Sequence, residues 1–340
     1  MTQMPKRMQM VAMAAPLLLA SCGGGSDASS GGTSSGSTTP TPTPTSVPTP
    51  PSPGPPTLLT TAAGTALQGY GGVRNFVRDS NGVTAVAFSY SPAYLTPATI
   101  AGPGTFSYQI RAEFYGGTTP PAGTFALSRD ATSDAAWSEY SATASGRVFR
   151  VSQLNVGPGN PLIALQYTTL AVASISYPNS APGLTSYSVA PMAFGLPFDK
   201  QSMALHGTVT YDGQIAGVAS AGQLEGIATP LGTKVIYTLS GTLRLVMNFD
   251  AATFSGEAHL IGKNDATGQT VDLGTYPTQG QIPPAGTSSS ILGSLSGGNI
   301  QAILTGPAAE ELEAAFEPMV PDPSNPSYFL KVMAVAAAKK

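Results

Sequence analysis

The chain has 340 residues, of which 41% are hydrophobic and only 10% charged, with 39 glycines, 31 prolines and a formal net charge of −3 at pH 7. This weakly acidic balance excludes a nucleic-acid-binding surface, which needs clustered Lys and Arg. A single cysteine, Cys22, excludes an intramolecular disulfide, so stability must come from backbone hydrogen bonds and core burial.

Lys6 and Arg7 form a basic start, and Met8 to Leu19 is an apolar run interrupted only by Gln9 and Pro16. A membrane-spanning helix needs about 20 apolar residues, so residues 1–21 read as a signal peptide. Leu19-Ala20-Ser21-Cys22 resembles a bacterial lipobox, which makes Cys22 the lipidated first residue of the mature protein. The alternative is an ordinary secretory signal that happens to end in a cysteine. Each acyl chain contributes about 0.8 kcal/mol per buried CH₂, and lipoproteins of this type carry several, so the protein is expected to stay on its membrane. Gly23 stands where an aspartate would retain a lipoprotein at the inner membrane. The outer membrane is therefore expected, on either its periplasmic or its cell-surface face.

Residues 22–57 are, after Cys22, Gly, Ser, Thr and Pro apart from Ala28, Val47 and one charge, Asp27. Such a segment buries too little surface to offset the entropy of ordering, and reads as a flexible then polyproline-like tether. Two motif matches fall inside it, Gly32-Thr-Ser34-Ser-Gly36 and Gly23-x-Gly25-x-x-Ala28. Neither has the strand-to-helix context that a nucleophile elbow or a dinucleotide loop needs.

The remainder is dominated by period-two alternation. In Thr105 to Phe114 the even positions Phe106, Tyr108, Ile110, Ala112 and Phe114 are apolar and the odd positions polar. From Lys234 to Phe249, Val235, Tyr237, Leu239, Leu243, Leu245, Met247 and Phe249 share one face, with Ile236 and Val246 as exceptions on the other. About sixteen residues at about 3.3 Å each make a strand that should bend, and Ser240-Gly241 is the expected place. Further strands are expected over Val83–Tyr90, Gly146–Leu154, Tyr167–Ile175, Leu205–Tyr211, Phe254–Ile261, Asn299–Leu304 and Tyr328–Ala336, separated by Gly/Pro turns. One short helix is expected over Pro307–Phe316, with Pro307 at its first position and Glu310 and Glu311 favoured by the N-terminal dipole.

The C-terminal part carries a resemblance. Asn248-Phe249-Asp-Ala-Ala-Thr253-Phe254-Ser255-Gly256, then Gly297 to Gly306-Pro307-Ala-Ala-Glu310-Glu311 and Phe316, resembles the barrel of transferrin-binding protein B-like surface lipoproteins. Phe194-Gly195-Leu-Pro197, Met203 to Gly207 and Thr208-Val-Thr-Tyr211 resemble the start of the same barrel. The chain departs from that pattern at Glu313-Ala314, where the family usually continues with a Gly-Gly pair, at Leu304-Thr305, and in a Pro-rich insert from Pro318 to Pro326. The resemblance implies an all-β protein, with a β-rich handle-like domain over 58–193 and an eight-stranded antiparallel β-barrel over 194–340. It also implies a ligand, either a host-type protein or a small solute such as haem or a metal complex, taken up through a neighbouring outer-membrane transporter.

A barrel of about eight strands holds side chains or one small ligand, so the apolar face of Val235–Phe249 either fills the core or lines a pocket. Chemistry is sparse. His206 and His259 are the only histidines; they read as solvent-facing, His206 beside Thr208 and Thr210 and His259 beside Ser255 and Glu257. Neither has the partners of a haem or metal site, and Glu257 with His259 lacks a nearby nucleophile. Glu310-Glu311 could pass for a carboxylate pair but is explained by the helix dipole. Trp137 with Tyr140, and Phe114-Tyr115 ahead of Gly116-Gly117, are candidate binding aromatics, core burial being the alternative for Trp137. No catalytic or metal-binding residue and no cofactor is expected. The reading is a non-enzymatic lipoprotein that binds a ligand for uptake, or alternatively a structural or envelope-maintenance lipoprotein that binds other envelope components.

Overall fold

The computed structural model describes residues 55–79, 82–87, 95–96, 100–102, 105–106, 108–110, 124–125, 128–144, 146–178, 182–198, 205–221, 235–284 and 290–340. These fall within one compact unit, Pro53–Lys340. The signal peptide, Cys22, the tether up to residue 54 with its two motif matches, and Phe114 to Gly117 lie outside the described residues.

The strands in chain order are β1 (Gln68–Gly71), β2 (Arg74–Asp79), β3 (Gly82–Ala87), the short β4 (Leu95–Thr96), β5 (Ile100–Gly102), β6 (Thr105–Phe106), β7 (Tyr108–Ile110), β8 (Thr124–Phe125) and β9 (Ser128–Arg129), then β10 (Trp137–Ala144), β11 (Arg147–Leu154), β12 (Thr168–Pro178) and β13 (Thr185–Gly195). The second half holds β14 (Thr208–Ala221), β15 (Ile236–Asn248), β16 (Thr253–Asn264), β17 (Thr270–Gln281), β18 (Ile291–Leu295), β19 (Gly298–Thr305), β20 (Glu311–Phe316), β21 (Met319–Asp322) and β22 (Asn325–Lys339). All pairings are antiparallel, and no helix occurs among the described residues.

The first sheet runs β3-β2-β13-β12-β11-β10-β9, with β1 also on β13. The second runs from β14 through β20 to β22, and β22 pairs back onto β14 over Asp212↔Lys339 to Ala221↔Leu330. Because β20 pairs with the C-terminal part of β22 and β21 with its N-terminal part, they occupy one position in the wall. The result is the expected closed, eight-stranded antiparallel barrel.

Alternation decides which side chains fill it. On β15, Tyr237, Leu239, Leu243, Leu245 and Met247 are buried inward while Thr238, Ser240, Thr242 and Arg244 are exposed. Gly241 has φ 156°, and a Cβ there would lie 2.0 Å from the His259 carbonyl oxygen, so the position needs glycine, while the pairing with β14 and β16 runs through it without a shift of register. Inward residues from all eight wall positions form one cluster, with Tyr211 donating its buried hydroxyl to the Ala309 carbonyl at 2.7 Å.

The expected helix over Pro307–Phe316 is absent. Gly306 (φ 81°) and Ala309 (φ 53°) make a tight turn instead, and β20 follows between β19 and β22. The same residues satisfy a strand: Leu312, Ala314 and Phe316 face the lumen and Glu311, Glu313 and Ala315 face out. Cross-strand pairing on both sides outweighs the helix propensity of Glu and Ala. The Pro-rich insert contributes β21.

The first sheet packs one face on Leu58, Leu67, Val73 and Phe106 and lays the other on the outside of the barrel. Leu154, Leu170 and Ala193 meet Ala216, Val335 and Ala337, while Phe76 and Val189 meet Val218, Ile236 and Met333. Ile236, an exception to the alternation, is thus an outward residue covered by the first sheet.

Two acids of β20 sit in this seam. Glu311 accepts the backbone N–H groups of Gln166 (2.6 Å), Tyr167 (2.8 Å) and Thr168 (2.8 Å), joining β20 to the start of β12. Burial lifts its carboxyl above the ordinary range, and those donors pull the other way. The helix-dipole explanation of Glu311 is replaced by this clamp. Glu313 is fully buried with neither oxygen hydrogen-bonded, and desolvation pushes its carboxyl well above the usual 4.5. On β1, burial and, to a lesser degree, Glu313 raise the pKa of the Tyr70 hydroxyl, which is hydrogen-bonded to Ser290 and accepts from Gln301 at 2.7 Å.

Glu311→Ala removes the acceptor of three backbone donors, two of them buried, and should lower unfolding free energy by about 3 kcal/mol, as read by chemical denaturation. Glu313 works in the opposite sense. Below pH 4.5 both folded and unfolded chains hold its proton; above it the unfolded chain releases the proton while the folded chain keeps it, so stability falls with rising pH by about 1.4 kcal/mol per unit from this group. Glu313→Gln should therefore match the parent near pH 4 and exceed it increasingly toward neutrality.

Candidate functional site

With the lumen occupied by side chains, the open volumes lined by described residues lie on the outside of the barrel wall. One of about 780 Å³ lies over β16, β17 and β18 beside the exposed Leu292; another, of about 720 Å³, lies between residues 160–164, which follow β11, and the outer face of β14, β15 and β16. Leu162, 46% exposed, stands on the rim of this second cleft. Asn160 builds that wall: its side-chain amide donates to the carbonyls of Ala136 (3.0 Å) and Asn155 (2.7 Å), and its Oδ1 accepts the Leu162 N–H at 2.8 Å.

Strand register sets the charges on the floor. Lys339, Asp212, Arg244 and Glu257 are successive cross-strand partners, a row of alternating sign across β22, β14, β15 and β16. Arg244 Nε lies 3.9 Å from Asp212 Oδ1, with the two side chains 61% and 67% exposed. Beside this row, Gln214, Thr242 and His259 are also partners. His259 Nε2 lies 3.0 Å from Asp272 Oδ1, and Asp272, which also accepts the Gly274 N–H at 2.8 Å, is held below the ordinary carboxylate range by that backbone donor and by His259.

A smaller volume, about 250 Å³, is a wedge where the first sheet parts from the barrel. Trp137 and Tyr187 line it with Val172, Val189, Ala216 and Val218, and its polar groups are Glu139, Arg150, Ser152, Ser174, Thr238 and Asp265. Ser152 Oγ donates to Glu139 Oε1 at 2.6 Å, and Thr238 Oγ1 to Asp265 Oδ1 at 2.8 Å.

Of the candidate residues, Trp137 is half-buried, packed against the seam and open to the wedge, whereas Tyr140 points to the opposite face of the sheet. His259 and Glu257 both line the 720 Å³ cleft. His206 is exposed elsewhere, 3.2 Å from Asp250. Glu310 accepts the Ala308 N–H at 2.9 Å in the β19–β20 turn. Among the described residues no group of three His, Cys, Asp or Glu side chains is placed to hold a metal ion. Sequence reading missed Arg244, Lys339, Asp265 and residues 160–164, because their meeting depends on which strands are neighbours.

No family model and no curated protein matches the chain. Solved structures do. A double mutant of transferrin-binding protein B from Haemophilus parasuis is 11% identical over 79% of this chain and 44% of its own, with a TM-score of 0.39. Transferrin-binding protein B from serogroup B Neisseria meningitidis is 11% identical over 81% of this chain and 43% of its own, with a TM-score of 0.34. The N-lobe domain of lactoferrin-binding protein B of Moraxella bovis is 15% identical over 56% of this chain and 78% of its own, with a TM-score of 0.30. The chain thus spans less than half the length of the two transferrin-binding proteins.

The exposed Asp212–Arg244 pair should contribute little to stability. Arg244→Ala is expected to shift unfolding free energy by no more than about 1 kcal/mol, so any change in what the cleft binds reads recognition rather than folding.

Proposed function

We propose that this chain is a non-enzymatic binding protein, anchored through lipid on Cys22 to the outer membrane of a Gram-negative bacterium, that captures a ligand for uptake. The ligand class is a host-type protein or a small solute such as haem or a metal complex, passed to a neighbouring outer-membrane transporter. The observation that carries the reading is an open cleft of about 720 Å³, lined by groups of both signs, on the outside of a filled barrel. Its size lies within the range of ligand sites. Among the described residues His206 and His259 are each hydrogen-bonded to an aspartate, the pairing of a surface histidine rather than of a base beside its nucleophile. The filled lumen also favours a second reading, a structural lipoprotein that binds other envelope components.

The full chain, immobilised, is to be challenged with haem, iron complexes, transferrin-like proteins and detergent-solubilised envelope. Saturable retention of a solute or a foreign protein is the expected result. Retention of envelope proteins alone would replace the uptake reading with the structural one. In cells, Cys22→Ala should abolish incorporation of labelled palmitate and move the protein from the membrane to the soluble fraction.

A further inference from the structure

The wedge and the 720 Å³ cleft open onto the same outer face of β15. Thr238 lines the wedge and Thr242 and Arg244 the cleft, and the outward residue between them, Ser240, is exposed like all three. The outer face of β15 is therefore open from Thr238 to Arg244, about 20 Å at about 3.3 Å per residue. Trp137 stands at the wedge end and residues 160–164 at the cleft end, tied together by the bond from the Asn160 amide to the Ala136 carbonyl.

Its chemistry narrows the occupant. An extended peptide adding as a strand needs free backbone groups, but β15 is paired along its length with β14 on one side and β16 on the other. The start of β10, which carries Trp137, is closed as well: Asp134 Oδ1 accepts the N–H groups of Ala136 (2.7 Å) and Trp137 (2.6 Å), and Ser133 Oγ accepts that of Glu139 (2.9 Å). Recognition must therefore come from side chains. The charged ones balance, with Asp212, Glu257, Glu139 and Asp265 against Arg244, Arg150, Lys339 and Lys340. A polyanion or a polycation would meet as much repulsion as attraction. What remains along the floor is a run of hydroxyls, Thr238, Ser240 and Thr242, bordered by carboxylates and the Gln214 amide, with one indole beside it.

We propose that this groove binds an uncharged oligosaccharide chain, with Trp137 as the surface on which a sugar ring stacks. A sugar offers an apolar C–H face to an aromatic ring and hydroxyls at its edges, each of which donates and accepts a hydrogen bond. Carboxylates accept from those hydroxyls, and Ser and Thr do both. The assignment rests on the binding reading above and names the ligand class for this part of the surface.

Trp137 is the only tryptophan of the chain, so intrinsic emission reports the groove alone. The full chain is titrated with two neutral probes, the β-1,4-linked tetramer of N-acetylglucosamine and maltotetraose, following Trp137 emission and heat in parallel. The expected result is a saturable emission change with at least one of them. It should weaken at least about tenfold, or about 1.4 kcal/mol, in Ser240→Arg, an exposed position where bulk obstructs the floor without entering the core. Emission and heat both silent to about 10 mM, weaker than a specific site, would overturn the proposal. So would a response that survives Ser240→Arg, or tighter binding of a sulfated tetrasaccharide. If Trp137 is silent while the immobilised chain retains haem or a foreign protein, the oligosaccharide assignment falls and the binding reading stands; if both are silent, both fall.

Discussion

The ladder between β14 and β22 is the constraint on which everything else depends. It joins Asp212–Ala221 to Leu330–Lys339, turning a meander into a closed wall with no free edge along that seam. Closure also brings two backbones very close. A Cβ on Gly213 would lie 2.4 Å from the Ala337 carbonyl oxygen, and one on Gly217 2.4 Å from that of Met333, while the facing residues are alanines 334 and 338. Small residues are needed inside, and small apolar residues outside, because the first sheet lies directly on this wall.

That second contact explains the composition of the closing strands. From Val332 to Ala338 every residue of β22 is buried, alternately in the lumen and in the seam. A strand buried on both faces is apolar throughout. The same holds for Ile215 to Ala219 of β14 and Val189 to Gly195 of β13. The seam is not wholly apolar, however. Glu311 fixes how the sheet sits by occupying three backbone donors at the start of β12, whereas Glu313 lies close by in sequence without a partner and weakens the same contact once its proton is lost in the unfolded chain.

The groove follows from where the first sheet stops fitting. Near Leu154, Leu170 and Ala193 its barrel-facing side is apolar and closes on the wall. Further along, the same face carries Glu139, Arg150, Ser152 and Ser174, which keep their water, and the sheets part there to leave the wedge. The outward face of β15 beyond it stays uncovered, and the row of charges on β22, β14, β15 and β16 ends up beside residues that follow β11. The site is thus a by-product of partial burial, built from side chains that each look like ordinary solvent-facing residues in their own strands.

Alternation was legible wherever one face is wet. It identified β11, β12, β15, β16 and β19 closely, and with them the all-β class and the inward set of the barrel. It failed where both faces are covered, as in β13 with its internal Pro191, and where glycine, proline and a bulge interrupt it, as in β17. Glu311 to Phe316 alternates correctly, yet local propensity favoured a helix, and only the neighbours β19 and β22 on either side make it a strand. Of the candidate site, Trp137, Glu257 and His259 could be singled out as residue types, but not as neighbours of Lys339 or residues 160–164. By itself, then, the sequence determined the class, the period and the inward residues, since these depend on side chains two positions apart in one strand. Closure, the buried acids and the groove were decided by tertiary structure, because they depend on which strands distant in the chain lie side by side.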